Sequence, residues 1–243
     1  MDMQEHDLHD LRLEVSMNAA AWLAHYGDHL WQLGSQINDD EMIGVGIVSQ
    51  MVGQVAEEAI NAYVSERWYA GACLTRQMVE AQYLLAYFAS DISQASRWLR
   101  ASPGRLTKSF RPAKLREAGG FSGSDYKIHC DWGGHPSPGG RWLLPNHKQH
   151  VSYESLWIDL GQHATEAAFY VWEATRNLPP LNELLKIVPE DLRNDVTTLM
   201  GAPPDVLTDW YALDPLAARI SKDEFDPEWI SAQLGIEPSE SEL

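Results

Sequence analysis

Cysteine is scarce. The 243-residue chain has two, Cys73 and Cys130, too few for a disulfide framework and without the Cys-x-x-Cys spacing of a redox pair or a structural zinc site. Both read as free thiols in a reducing compartment. Basic residues are also in short supply: 18 Lys and Arg face 35 Asp and Glu, for a formal charge of -17. That balance excludes a general nucleic-acid coat or a binder of anionic membranes, since each needs a broad positive field. No run approaches the roughly eighteen apolar residues of a membrane span. The opening MDMQEHDLHD is acidic where a signal peptide is basic, so the expected address is cytoplasmic, with no membrane partner. Sustained two-residue alternation is missing, and with it the case for a sheet. Phosphate-loop glycine signatures, a GxSxG elbow and HExxH are absent. No Glu-x-x-His occurs on a helical segment, which sets aside a carboxylate-bridged di-iron bundle.

What is present is helical period. Apolar residues recur at three-to-four spacing over about 8–33 (Leu8, Leu11, Val15, Ala19, Trp22, Leu23, Leu30, Leu33), 42–65 and 68–89. Asp91 and Ser93 read as caps of a short helix ending near Arg100. Residues 101–151 are broken by proline and glycine, with room for short helices near 113–118 and 124–131. A long helix follows over 152–177, closed by Pro179-Pro180, and then short helices near 181–187, 190–200, 204–212 and 227–234. The expected fold is all-α: an up-and-down helical bundle over 1–180, then an acidic helical extension over 181–243 with a disordered tail.

Charge is distributed unevenly. Residues 1–96 carry 3 basic and 14 acidic side chains, 97–148 carry 10 and 3, and 181–243 carry 4 and 14. An anionic ligand is therefore expected at the centre of the chain. The stretch Tyr126–Trp142, YKIHCDWGGHPSPGGRW, collects Lys127, His129, Cys130, Asp131, His135 and Arg141 on a loop stiffened by glycine and proline. Basic groups there can bind a phosphate, and a histidine can move a proton near neutral pH. Arg76 and Glu80, four apart inside an apolar helix, share a face and form either a register-fixing ion pair or an anion clamp. Arg97, Arg100, Arg105, Lys108, Arg111, Lys114 and Arg116 form the densest basic run, interleaved with Trp98, Phe110 and Phe121, as a strip for phosphates and stacked bases would be. A competing reading takes His129, Cys130, Asp131, His135, His147 and His150 as zinc-type ligands, although their spacing matches no strong zinc signature.

Arg76 and Glu80, then Ala86-Tyr87, Asp91, a short Arg97-Trp98-Leu99 helix and a loop ending in His135-Pro136-Ser137 together resemble bacterial HEPN-like helical families, over about residues 10–175. The resemblance implies a helical bundle that pairs as a homodimer. It also implies a metal-independent endoribonuclease, or an RNA or nucleotide binder, of toxin–antitoxin or phage-defence type. His135 matches the histidine of the family's Arg-x(4–6)-His motif, but His129 and Lys127 stand where its arginine is sought. The expected catalytic set is therefore His135 with His129, Lys127, Arg76 and Glu80, and the expected ligand-binding set is Arg111, Lys114, Arg116 and Arg141. No cofactor and no metal is assigned to these sets. The alternatives are a non-catalytic regulatory or protein-interaction module and the His/Cys zinc protein.

Overall fold

A computed structural model describes residues 5–144, 153–178, 181–199, 201–214 and 217–218. Among these residues the chain is all-helical and contains no strand. Four long helices dominate: α1 (Glu5–Ile37), α2 (Asp40–Val64), α3 (Trp68–Ser90) and, after a long crossing segment, a fourth over Tyr153–Arg176. The crossing segment contains α4 (Ser93–Leu99), α5 (Pro103–Ser109), α6 (Pro112–Gly119) and α7 (Gly123–His129), followed by a π-helical turn (Cys130–Gly134) and a 3-10 turn (Pro138–Leu143). The fourth long helix is thus α8. Beyond it lie α9 (Leu181–Ile187), α10 (Arg193–Leu199) and α11 (Val206–Leu213).

The α1–α2 reversal follows from two residues. Asn38 takes a left-handed conformation (φ 56°), and Asp39 caps α2 by accepting from the amides of Glu41 and Met42 at 2.9 and 3.0 Å. The two helices then approach with backbone almost touching: a Cβ on Gly46 would stand 2.7 Å from the Gly27 carbonyl oxygen. Glycine spacing that weakens a helix in isolation thus sets the interhelical distance here.

α1 packs on α2, α2 on α3, α3 on α8 and α8 on α1, closing a four-helix ring. Its connectivity departs from the strict alternation expected from the sequence. Trp68 stacks on Tyr153, Gln82 meets His163, and Asn177 donates to the Ala89 carbonyl, so α8 runs parallel to α3. The physical reason is the crossing segment, which carries the chain back to the end of the bundle where α3 began.

The core follows the predicted stripes, with Val15, Leu23, Leu30, Val52, Met78, Leu85, Leu160 and Val171 fully buried, except that on α2 Met51 is exposed and Val45 is buried instead. The segments beyond Pro180 share this core. Val196, Leu207 and Trp210 are fully buried, Tyr26 donates to the Leu199 carbonyl at 2.9 Å, and Arg12 donates to Asp214 at 2.6 Å. The expected short helix over 227–234 and the tail lie outside the described residues. No described helix is long and apolar enough to cross a membrane.

Candidate metal centre

α7 begins at Ser122, whose hydroxyl accepts from the Asp125 amide. Asp125 and His129, four residues apart, occupy one face of this helix, and Asp159 and His163 repeat the same spacing on α8. The bundle turns the two faces together. His129 and His163 are buried, at 4% and 5% exposure, while the carboxylates of Asp125 and Asp159 keep about a quarter of their side-chain surface at 23% and 24%. The Nε2 atoms of the two histidines lie 3.1 Å apart. Asp159 Oδ1 is 3.5 Å from His129 Nε2 and 3.4 Å from His163 Nε2, and Asp125 Oδ1 is 3.4 Å from His129 Nε2.

These separations carry a chemical meaning. An ion bonded to nitrogen and oxygen at about 2.0–2.1 Å in a tetrahedron places its ligands about 3.3–3.4 Å from one another. The His129, His163 and Asp159 triangle has edges of 3.1, 3.4 and 3.5 Å, the size of one face of that tetrahedron. All four ligand atoms lie within 4.8 Å of one another, and no other such group occurs among the described residues.

The second ring of contacts fixes which histidine nitrogen is bare. The Gln82 amide nitrogen donates to Glu166, which turns the Gln82 carbonyl toward His163. That carbonyl lies 2.6 Å from His163 Nδ1, so Nδ1 carries the proton and donates it. Nε2 of neutral His163 is then a lone pair aimed at the cluster. Glu166 is itself held by Gln162 at 2.9 Å. This is the arrangement by which proteins orient and polarise a metal-ligating imidazole.

In the absence of an ion, the electrostatics place a proton at the same point. Burial alone pulls the His163 pKa down, but the Asp159 hydrogen bond and the charges of Asp159, Asp125 and Glu166 outweigh it and lift the value to about 9. Asp125 moves the opposite way: burial works against its ionised form, yet the His129 hydrogen bond and both histidines hold it below the ordinary carboxylate range. The pocket is built to hold positive charge among carboxylates.

The residues singled out by sequence divide among several places. His129 enters the cluster. Arg76 and Glu80 form the i,i+4 ion pair at 2.7 Å, and the Tyr126 hydroxyl joins them, donating to Glu80 at 3.0 Å and accepting from Arg76 at 3.4 Å. Burial lowers the Arg76 pKa, but Tyr126, Glu80 and Cys130 together leave it raised. His135 is exposed at the end of the π-helical turn, and Lys127 is exposed on α7. Arg111 is exposed just before α6 and Lys114 is exposed on it, Arg116 lies over the Tyr126 ring at 5.7 Å, and Arg141 stacks on Trp142 at 4.1 Å.

Of the described members of the zinc-type set weighed from the sequence, His129 alone joins the cluster. Cys130 and Cys73 are free and partly buried, with Cys130 beside Arg76, and Asp131 is exposed. His147 and His150 lie outside the described residues. The glycines of the DWGGHPSPGG stretch have a packing role: a Cβ on Gly133 would stand 2.4 Å from the Ala72 carbonyl oxygen, so glycine lets the π-helical turn lie directly on α3.

Sequence reasoning missed Asp125, Asp159, His163, Gln82 and Glu166. The available signal was the Asp-x-x-x-His spacing, present once on each of two predicted helices. No family model, no curated protein and no solved structure matches the chain.

Proposed function

We propose that this chain is a helical metalloprotein that holds one divalent transition-metal ion between Asp125 and His129 of α7 and Asp159 and His163 of α8. The observation that carries the reading is the pair of imidazole Nε2 atoms 3.1 Å apart beside two carboxylates, with His163 oriented by Gln82. Nitrogen and oxygen donors without a thiolate suit zinc, manganese, iron(II) or cobalt rather than copper(I), calcium or magnesium. The ion would tie α7 to α8 and supply a Lewis acid at a carboxylate edge that reaches solvent. Protein freed of metal by a chelator and then titrated with zinc is expected to take up one equivalent. His163→Ala and Asp159→Asn are expected to lose it. Retention of full binding by both variants contradicts the proposal.

A second reading, RNA or nucleotide binding of the HEPN-like kind, draws support from one feature of the charge distribution. Among the described residues, Arg105, Lys108, Arg111, Lys114 and Arg116 have no carboxylate within ion-pair distance, whereas Arg12, Arg76 and Arg100 are paired. This leaves a basic strip on α5 and α6 free to meet phosphates. Binding of a single-stranded RNA that weakens steeply with salt, and weakens further in Arg111→Ala/Lys114→Ala, is its expected signature. Cutting of that RNA, lost in His135→Ala, would extend the reading to the endoribonuclease.

A further inference from the structure

α7 is fastened differently from the long helices. The segment that carries it is pinned at both ends: the Phe121 ring packs on Tyr83 at 4.6 Å and on Tyr170 at 6.1 Å, and Gly133 lies directly on the Ala72 backbone. Between these pins, His129 is the one buried residue of α7. A helix of seven residues is too short to hold its shape alone in water and takes its stability from the face it packs. Here that face consists of the candidate ligands Asp125 and His129 together with Tyr126, and it buries no aliphatic side chain.

What lies under this strap opposes its closure. The Tyr126 ring stands 6.0 Å from that of Tyr83, whose hydroxyl is buried and has no hydrogen-bond partner among the described residues. Arg76 Nε is also buried and unpartnered, and a Cβ on Gly134 would stand 3.0 Å from it. Covering such groups takes water from them and returns no hydrogen bond. Closure also brings the Asp125 carboxylate of α7 to the same point as Asp159 of α8, so like charges converge. The Tyr126 hydroxyl bonds to Glu80 and Arg76 favour closure, but water serves these part-exposed groups nearly as well. A single proton in the cluster joins two ligand atoms at a time, whereas an ion joins all four.

We infer that residues 122–130 form a metal-controlled strap: an ion held between α7 and α8 closes it over Tyr83 and Arg76, and loss of the ion opens it while Phe121, Gly133 and the four-helix ring stay in place. The inference rests on the metal-binding reading above and adds what the ion regulates. Opening and ion release are linked by mass action, because an open strap separates Asp125 and His129 from Asp159 and His163 and no longer offers four ligands. The open fraction therefore falls by one plus the ratio of free ion to Kd, about a hundredfold when that ratio is about a hundred. Lys127, exposed on α7, makes the state of the strap readable. Trypsin cuts after lysine only where the chain has opened locally, so cleavage there tracks the open fraction.

The test uses full-length protein, chelated or loaded with zinc, with ion uptake measured by calorimetry and the first fragments of a brief trypsin digest identified by mass spectrometry. Cleavage after Lys127 is expected in the metal-free protein and is expected to slow about a hundredfold in zinc at about a hundred times its dissociation constant. Cleavage after Arg105 and Lys108 on α5, which buries none of its residues, is the internal reference and is expected to change less than about twofold. Asp159→Asn removes a ligand on α8 and leaves α7 intact, and its Lys127 is expected to be cut at the same rate with and without that zinc. If the wild type takes up no ion, the metal-binding reading itself has failed and the strap with it. If it takes up one ion and cleavage after Lys127 is unchanged, or slows no more than cleavage on α5, the strap is overturned and the metal site stands. A metal-free protein that is never cut after Lys127 also overturns it, as does zinc protection that persists in Asp159→Asn.

Discussion

Arg12 and His163 each sit at the centre of a buried charged cluster that joins distant parts of the chain, and the two clusters are satisfied in different ways. The Arg12 guanidinium donates to Asp214 at 2.6 and 3.2 Å and to Glu154 at 2.5 Å, so fixed donors meet fixed acceptors. Burial disfavours its charge, but the two carboxylates leave the Arg12 pKa raised. Such a cluster is complete as it stands and fastens the segment after α11 to α1 and α8. Around His163 no permanent cation is present: two carboxylates converge on two imidazole Nε2 atoms, each of which either carries a proton or offers a lone pair. A proton or a metal ion has to supply the positive charge there. The difference separates a fastening from a ligand site, although both appear in the sequence as scattered charges on helices.

The comparison can be broken most severely at Arg12. Asp214 is fully buried, so Arg12→Ala strips a guanidinium from an interior carboxylate and is expected to cost about 3–5 kcal/mol of stability, read by urea denaturation. The same variant is expected to bind metal with the wild-type stoichiometry. Loss of metal would show that the two clusters are one cooperative unit.

Next in size is the ion itself. Saturating zinc at about a hundred times its dissociation constant is expected to add about 2.7 kcal/mol to the unfolding free energy of the wild type and nothing to His163→Ala, compared in parallel chelated and loaded melts. Gln82→Leu follows. It removes the carbonyl that holds the His163 Nδ1 proton, and metal affinity is expected to fall about 10–100-fold with stoichiometry kept. Unchanged affinity would mean that the Glu166–Gln82 contacts are packing alone. The smallest effect is expected at Arg100, which is mostly exposed in its ion pair with Asp40: Arg100→Ala is expected to change stability by less than about 1 kcal/mol and metal binding not at all.

The long helices were legible because each buries one stripe. The three-to-four spacing of Val15, Leu23 and Leu30, or of Leu156, Leu160 and Val171, matches the buried face closely. α5 was less legible, being about two amphipathically featureless turns that start at Pro103 and bury none of their residues. The parallel return of α8 could not be read at all, since it depends on the path of the crossing segment and not on any local period.

The site was half legible. His129 stood out through its neighbours in sequence, yet its working partner His163 is 34 positions away, on a helix whose apolar residues drew the eye to its core face. His135, the histidine nearest to His129 in sequence, is exposed and takes no part in the cluster. The glycine-rich stretch that suggested a loop site is instead a close-packing device against α3. Spacing on two helices, Asp125 to His129 and Asp159 to His163, was the true signal, and it becomes a site only once α3 has brought α7 and α8 together.

The most direct measurement is a calorimetric titration of chelator-treated protein with zinc, run on the wild type, on His129→Ala/His163→Ala and on Arg12→Ala. One ion per chain is predicted for the wild type and for Arg12→Ala, and none for the double-histidine variant. Absence of binding in a folded wild-type protein, or binding that survives removal of both histidines, would contradict the metal centre.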